Sequence, residues 1–237
     1  MKLGINVDHV ATLREARKIV DYPSPFKAAL TAQKSGADSV VIHLREDRRH
    51  IKDTDAILIK KKLKISLNLE MSVNPEIVDI ATRLKPDKAT IVPERRQEIT
   101  TEGGFDLFKE EKKLVKALKK LRKSGISVSV FIDPLSSQIK KAKDLSIDAI
   151  ELHTGKFCEA KTEKSRKYQF QRIYRAAKLA HDLGLFVAAG HGLNYKNVKK
   201  IAGIKYINEL NIGHSIISES VFLGLPEAIK AMRRLIN

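Results

Sequence analysis

The sequence predicts an α/β protein, a (β/α)8 TIM barrel built as one domain over residues 1–237, and three observations carry that prediction. Short β-branched runs alternate with longer segments of helical period from one end to the other. The spacing is roughly 30 residues per repeat, the length of one βα unit. No linker, low-complexity tract or composition break interrupts the series.

Taken in order, the first strand is expected at Leu3–Val7, with a helix at Phe26–Gly36 after a polar connection. A strand at Ser39–Leu44 leads to a helix at Asp53–Lys62, and a strand at Ile65–Glu70 leads to a helix at Pro75–Leu84. The fourth and fifth strands are Ala89–Val92 and Val128–Asp133, followed by helices at Asp106–Ser124 and Ser136–Leu145. Strands at Ala149–His153, Phe186–Gly190 and Tyr206–Ile212 precede helices at Glu163–Leu183, Tyr195–Ile201 and His214–Leu235. Several helices stop at glycine or lysine and return at once to a strand, as in KSGAD, KSGIS and DLGLF. An open doubly wound sheet fits less well, because no Gly-rich phosphate turn follows the first strand and no GxGxxG occurs. The barrel interior is expected to be packed with the Ile, Val and Leu of these strands.

Composition narrows the function. With 237 residues and 43% hydrophobic content the chain can bury a large core. No apolar run reaches the roughly 18 residues of a membrane span, and the N-terminal segment lacks the features of a secretory signal. The single cysteine, Cys158, rules out a disulfide framework, and the expected compartment is the cytoplasm. Basic residues outnumber acidic ones by 45 to 28, a net charge of +17. Nucleic acid is the first partner such a balance suggests. Against it, aromatics are only 5%, so no stacking platform exists. The densest basic stretch, Lys109–Lys123, reads as an amphipathic helix with a solvated lysine face. An anionic small-molecule substrate suits the same field.

The strand ends carry the chemistry. Residues two apart share a face of a strand, and this rule gathers Asn6 with Asp8, His43 with Arg45, Asn68 with Glu70, Glu151 with His153, and Asn211 with Gly213, with His191 just after strand seven. Barrel active sites lie on this C-terminal rim, and polar groups held inside a fold are costly unless paired or used. Imidazoles and carboxylates exchange protons near neutral pH, so His43, His191, Glu70 and Glu151 form a candidate acid/base set. A Schiff-base lysine would need a rim lysine: Lys64 and Lys88 begin their strands, and only Lys156 stays in play. A metal hydrolase would need close ligand pairs such as HxH or HExxH, and none occurs, so no metal is expected. Two anion sites are suggested: the loops Ala189–Asn194 and Asn211–Ser215, where Gly192 and Gly213 open the backbone and His214 begins a helix, and the cationic group Arg45, Arg48, Arg49 and His50. The polar segment Val92–Asp106, ending in Gly103-Gly104, is the candidate lid.

These residues resemble the pyridoxine 5′-phosphate synthase family of vitamin B6 biosynthesis. The matching stretches are NVDHVATLREAR (Asn6–Arg17), HLREDRRHI (His43–Ile51), LNLEM (Leu67–Met71), VPERRQEITTEGG (Val92–Gly104), ELHTG (Glu151–Gly155), AGHGLNYKNV (Ala189–Val198) and ELNIGH (Glu209–His214), in family order and nearly from end to end. The resemblance implies a barrel with additional helices, assembled as an octamer. It implies condensation of 3-amino-2-oxopropyl phosphate with 1-deoxy-D-xylulose 5-phosphate to pyridoxine 5′-phosphate, phosphate and water, with no metal or organic cofactor. It further implies that His43 and Glu70 accept protons, His191 donates one, and Glu151 stabilises a transition state. Asn6, Arg17, Gly192, Gly213 and His214 would hold the amino-ketone phosphate. Asp8, His9, Arg45, His50 and Thr100 would hold the deoxyxylulose phosphate.

Overall fold

The computed structural model describes residues 1–94 and 103–237. Eight parallel strands close into a barrel in chain order: β1 (Lys2–Asn6), β2 (Ser39–His43), β3 (Ser66–Met71), β4 (Lys88–Ile91), β5 (Ser127–Ile132), β6 (Ala149–His153), β7 (Phe186–Gly190) and β8 (Glu209–Ile212). Closure comes from β1 against β8, with Leu3 opposite Leu210 and Gly4 opposite Asn211. Around the strands run α1 (Asp8–Arg17), α2 (Pro25–Lys34), α3 (Asp53–Lys62), α4 (Pro75–Leu84), α5 (Glu111–Lys123), α6 (Ser136–Asp144), α7 (Gly155–Cys158), α8 (Glu163–Asp182), α9 (Val198–Ala202), α10 (His214–Leu223) and α11 (Leu225–Ile236). Local chemistry sets several starts. Ser24 and Asn74 cap α2 and α4, accepting from the backbone N–H of Lys27 and Glu76, each with proline next in line.

The barrel is not filled as the sequence suggested. Lys88 on β4 reaches across to Glu209 on β8, Nζ to Oε1 3.3 Å, a contact between opposite strands that only the barrel interior permits. Ser39 on β2 donates to the same carboxylate at 3.0 Å. One layer up, Asn211 Nδ2 donates to Glu151 Oε2 at 2.5 Å, and Thr90 donates to Asn68 Oδ1 at 2.8 Å. The inward positions are therefore largely polar. The Ile, Val and Leu residues that alternate with them (Leu3, Ile5, Val40, Ile42, Leu69, Ile150) point outward and join the buried faces of the helices, such as Ile59, Ile77, Leu118 and Ile229, in one apolar core. Expecting an aliphatic interior assigned the two faces of each strand the wrong way round below the rim.

Helix boundaries also depart from expectation. α1 follows β1 directly, where no helix was expected, and buries Val10, Ala11 and Arg14. The predicted His214–Leu235 helix is two helices, broken at Gly224, whose φ of 75° and ψ of 147° no helix accommodates. α5 begins at Glu111 rather than Asp106, whose carboxylate accepts from the N–H of Phe108 and ties the segment into a turn.

Candidate active site

The C-terminal rim holds three linked groups of side chains. In the first, Asp8 is the knot. Its backbone N–H donates to Asn6 Oδ1 and its carboxylate accepts from Asn6 Nδ2, both at 2.9 Å, while the other carboxylate oxygen accepts from the N–H of His43 at 2.9 Å. That ties β1 to β2 and fixes where His43 begins. The His43 ring lies between two carboxylates, Nε2 2.9 Å from Glu94 Oε1 and Nδ1 4.0 Å from Glu70 Oε2. Glu94 is held in turn by the N–H of Glu46 at 3.1 Å. The His50 ring stands 6.1 Å from that of His43. Its Nδ1 accepts from the N–H of Ile51, and burial, the largest influence, lowers its pKa, so the neutral ring with a proton on Nε2 is favoured. Arg14, paired with both oxygens of Asp55, grips the carbonyl of His50 at 2.9 Å and pins the loop after β2. Arg45 is buried, with Nε 3.6 Å from Asp47. A cavity of about 320 Å³ opens here, lined by Arg45, Glu46, Asp47, Asn74, Glu76 and Glu94.

The second group is a pair of carboxyls facing the interior. Glu151 is buried on β6, and burial raises its pKa to about 7, against stabilisation of the anion by Asn211 and by the charge of Lys88. Burial also raises Glu70 well above the usual carboxylate range, helped by the charges of Glu151 and Asp8. Gly190 makes room for this arrangement: a Cβ there would collide with the Glu151 carboxylate. A carboxyl that titrates near neutrality can give or take a proton without a large energetic penalty.

The third group surrounds β6 and β7. His153 meets Asp133 through Nδ1 at 3.1 Å and stands edge-on to His191, ring centroids 5.0 Å apart. On the β1–β8 side, His9 and His214 pack edge to face at 4.8 Å, and His9 is lowered by burial and by His214. Gly213 precedes α10, where a Cβ would come within 2.9 Å of the Asn6 side chain, and Gly192, at φ 79°, sits against Cys158. Gly213 is the residue before the first turn of α10, where backbone N–H groups suit an anion, whereas Gly192 lies in the turn after β7, well before α9.

Of the residues expected at the site, Asn6, Asp8, His43, Arg45, His50 and Glu70 are brought together by direct contacts or short separations, and so are Glu151 and His191 with their neighbours. Arg17 is exposed on the last turn of α1 and is not drawn into these contacts. Thr100 and most of the expected lid lie outside the described residues. Gly104, from the Gly103-Gly104 pair of the candidate lid, is packed so closely on Ile132 and Asp133 that a Cβ would collide with their backbone, which makes it an anchor. Sequence reasoning missed Glu94, Asp133 and Arg14 as partners. It noted His153 only as a neighbour of Glu151. The signal for Glu94 and Asp133 was available, since each lies one to three residues beyond a strand end.

A closed parallel barrel with its titratable side chains collected on the C-terminal rim is an enzyme of the (β/α)8-barrel class. The solved phosphoribosyl anthranilate isomerase from Thermus thermophilus shares that fold, with a TM-score of 0.63 at 14% identity over 100% of this chain and 98% of its own. The chain belongs to the family described as pyridoxal phosphate biosynthesis protein PdxJ, whose model matches residues 3–237. Relatives named pyridoxine 5′-phosphate synthase, from Prochlorococcus marinus (strain AS9601) and Coxiella burnetii (strain Dugway 5J108-111), are each 51% identical. The first alignment covers 99% of this chain and 98% of the relative, the second 100% and 98%.

Proposed function

We propose that this chain condenses 3-amino-2-oxopropyl phosphate with 1-deoxy-D-xylulose 5-phosphate to form pyridoxine 5′-phosphate, inorganic phosphate and water. The observation that carries the reading is the placement of His43 between Glu94 and Glu70, with Glu151 beneath and His191 across the rim. The substrate amine attacks a ketone, loss of water gives an imine, and phosphate elimination follows, with ring closure onto the second ketone and loss of a second net water. Imine formation moves protons between nitrogen and oxygen, and the later steps move them on different carbons, so several acid/base groups around one space are needed.

His43 accepts a proton through Nδ1, since Nε2 is engaged by Glu94. Glu70, once ionised, is an unusually strong base for a carboxylate because burial and neighbouring charges disfavour its anion. Glu151, divided between its two forms near pH 7, becomes a full anion when positive charge develops on the imine nitrogen, and stabilises it. His191 returns a proton from the opposite wall. Gly192, Gly213, His214, Asn6 and Arg17 hold the amino-ketone phosphate, whereas Asp8, His9, Arg45, His50 and Thr100 hold the second substrate. The excess of basic residues favours two dianionic substrates. Self-association as an octamer is part of the same reading, supported by the exposed apolar run Val221, Phe222 and Leu223 at the end of α10.

The test is to incubate the protein with both substrates and follow pyridoxine 5′-phosphate absorbance and phosphate release together. Equal amounts of both products, and none when either substrate is left out, are expected. Folded protein that releases neither product refutes the reading.

A further inference from the structure

The scheme above uses His191 and leaves its surroundings unassigned. His153 ends β6 almost fully buried, with Nδ1 3.1 Å from Asp133 Oδ1. Its ring stands edge-on to that of His191 at an interplanar angle of 69°. The ring of Phe131 lies 5.1 Å from His153 and 6.5 Å from His191, limiting how either can turn. Gly155 completes the fit: a Cβ there would stand 2.5 Å from His153 Nε2 and 3.1 Å from His191 Cδ2.

The backbone contributes as well. His191 has φ of 74°, a left-handed conformation that a non-glycine residue adopts only at a cost. Thr154, the residue after His153, donates through Oγ1 to the carbonyls of Gly190 at 2.7 Å and His191 at 2.5 Å. The segment that carries His153 therefore also holds His191 in its strained turn. Such strain persists where surrounding contacts fix it, and here Thr154 and Cys158, just after β6, both reach the His191 carbonyl.

We propose that Asp133 and His153 are positioning residues for His191: the carboxylate holds the His153 imidazole, which keeps the His191 ring edge-on and, when protonated, repels the proton that His191 carries. The assignment rests on reading His191 as the proton donor. Asp133 is suited to holding the His153 ring, since that contact is the main reason its carboxyl lies below its usual range. Among the described residues, three other titratable groups act on or touch these residues. Lys156 acts on Asp133, Glu159 draws protons toward His191, and the Cys158 thiol, pushed up to about 11 by burial, stays protonated. Burial first, then the charge of His153, lower His191 below the usual imidazole value, against the smaller pull of Glu159. A donor in that condition hands on its proton more readily once it holds one.

Histidine side-chain NMR titration of the whole protein tests this, with the His191 signal assigned by its loss in His191→Asn. In His153→Gln the amide still donates to Asp133 but carries no charge. The His191 midpoint should then rise by about half a unit or more. Turnover should fall about tenfold, with KM for each substrate within about twofold of wild type. Asp133→Asn, at the less buried end of the pair, should lower kcat in the same way while leaving the fold intact by circular dichroism. An unmoved His191 midpoint in folded His153→Gln overturns the proposal, as does wild-type turnover in both variants. Near wild-type turnover in His191→Asn would instead overturn the donor reading, and the two failures separate because the titration is measured without substrate.

Discussion

Replacing Glu151 with glutamine should make the protein more stable at pH 8 while depriving it of activity. Glu151 is 3% exposed, and its pKa is raised from the usual 4.5 to about 7, with burial the dominant cause. The sign follows from linkage: the native state holds this proton more tightly than the unfolded chain does. Below about pH 4.5 both states are protonated and Glu151 costs nothing. As pH rises toward 7 the unfolded chain releases its proton first, and stability is lost, reaching a full penalty of about 3 kcal/mol above pH 7. Glutamine never ionises and so escapes the penalty. It keeps an oxygen that accepts from the Asn211 amide. Denaturant unfolding of wild type and Glu151→Gln at pH 5 and pH 8 measures the difference. The variant should gain little at pH 5 and about 2–3 kcal/mol at pH 8, with turnover reduced by a factor on the order of 10² or more. A gain that does not change between the two pH values would refute the reasoning, because it would show that Glu151 does not titrate in this window.

The other substitutions probe the chemistry directly. Glu70→Gln should keep the fold and lower turnover on the order of 10²–10⁴-fold, and near wild-type turnover would remove Glu70 from the mechanism. Arg45→Lys loses the planar guanidinium fork and should raise KM for deoxyxylulose phosphate more than for the amino-ketone phosphate. Gly213→Val, which drives a side chain into Asn6, should do the reverse, and a swapped pattern in the two KM values would mean the pockets are exchanged. Turnover should withstand a strong chelator; loss of activity restored by one divalent ion would contradict the acid/base reading.

The strand chemistry was legible because a strand's two-residue period is strict, so Asn6, His43, Glu70, Glu151 and Asn211 could be put on one rim without coordinates. What the period cannot say is which face looks inward. Below the rim the aliphatic residues were given the interior because barrels are usually filled that way, yet Ser39, Lys88 and Glu209 occupy it. Partners across space were equally hidden. Glu94 reaches His43 from the end of β4, two strands away, and Asp133 reaches His153 from β5. α1 escaped notice because its ten residues bury only a narrow stripe, while in α10–α11 the apolar period runs unbroken through the glycine that divides them.

A polar interior inside an aliphatic sleeve changes what each barrel position tolerates. Along β6, Ile150 and Leu152 press outward on the helices while Glu151 between them looks inward. An aliphatic swap that is mild at Ile150 would strand Asn211 if made at Glu151, and an amide that the fold accepts at Glu151 would be ruinous at Ile150. Both positions are equally hidden from solvent, so burial alone ranks half of the barrel's substitutions backwards. Residue-by-residue variation along these strands should therefore swing between opposite preferences with every step, and that alternation marks the boundary between what keeps this protein folded and what it does.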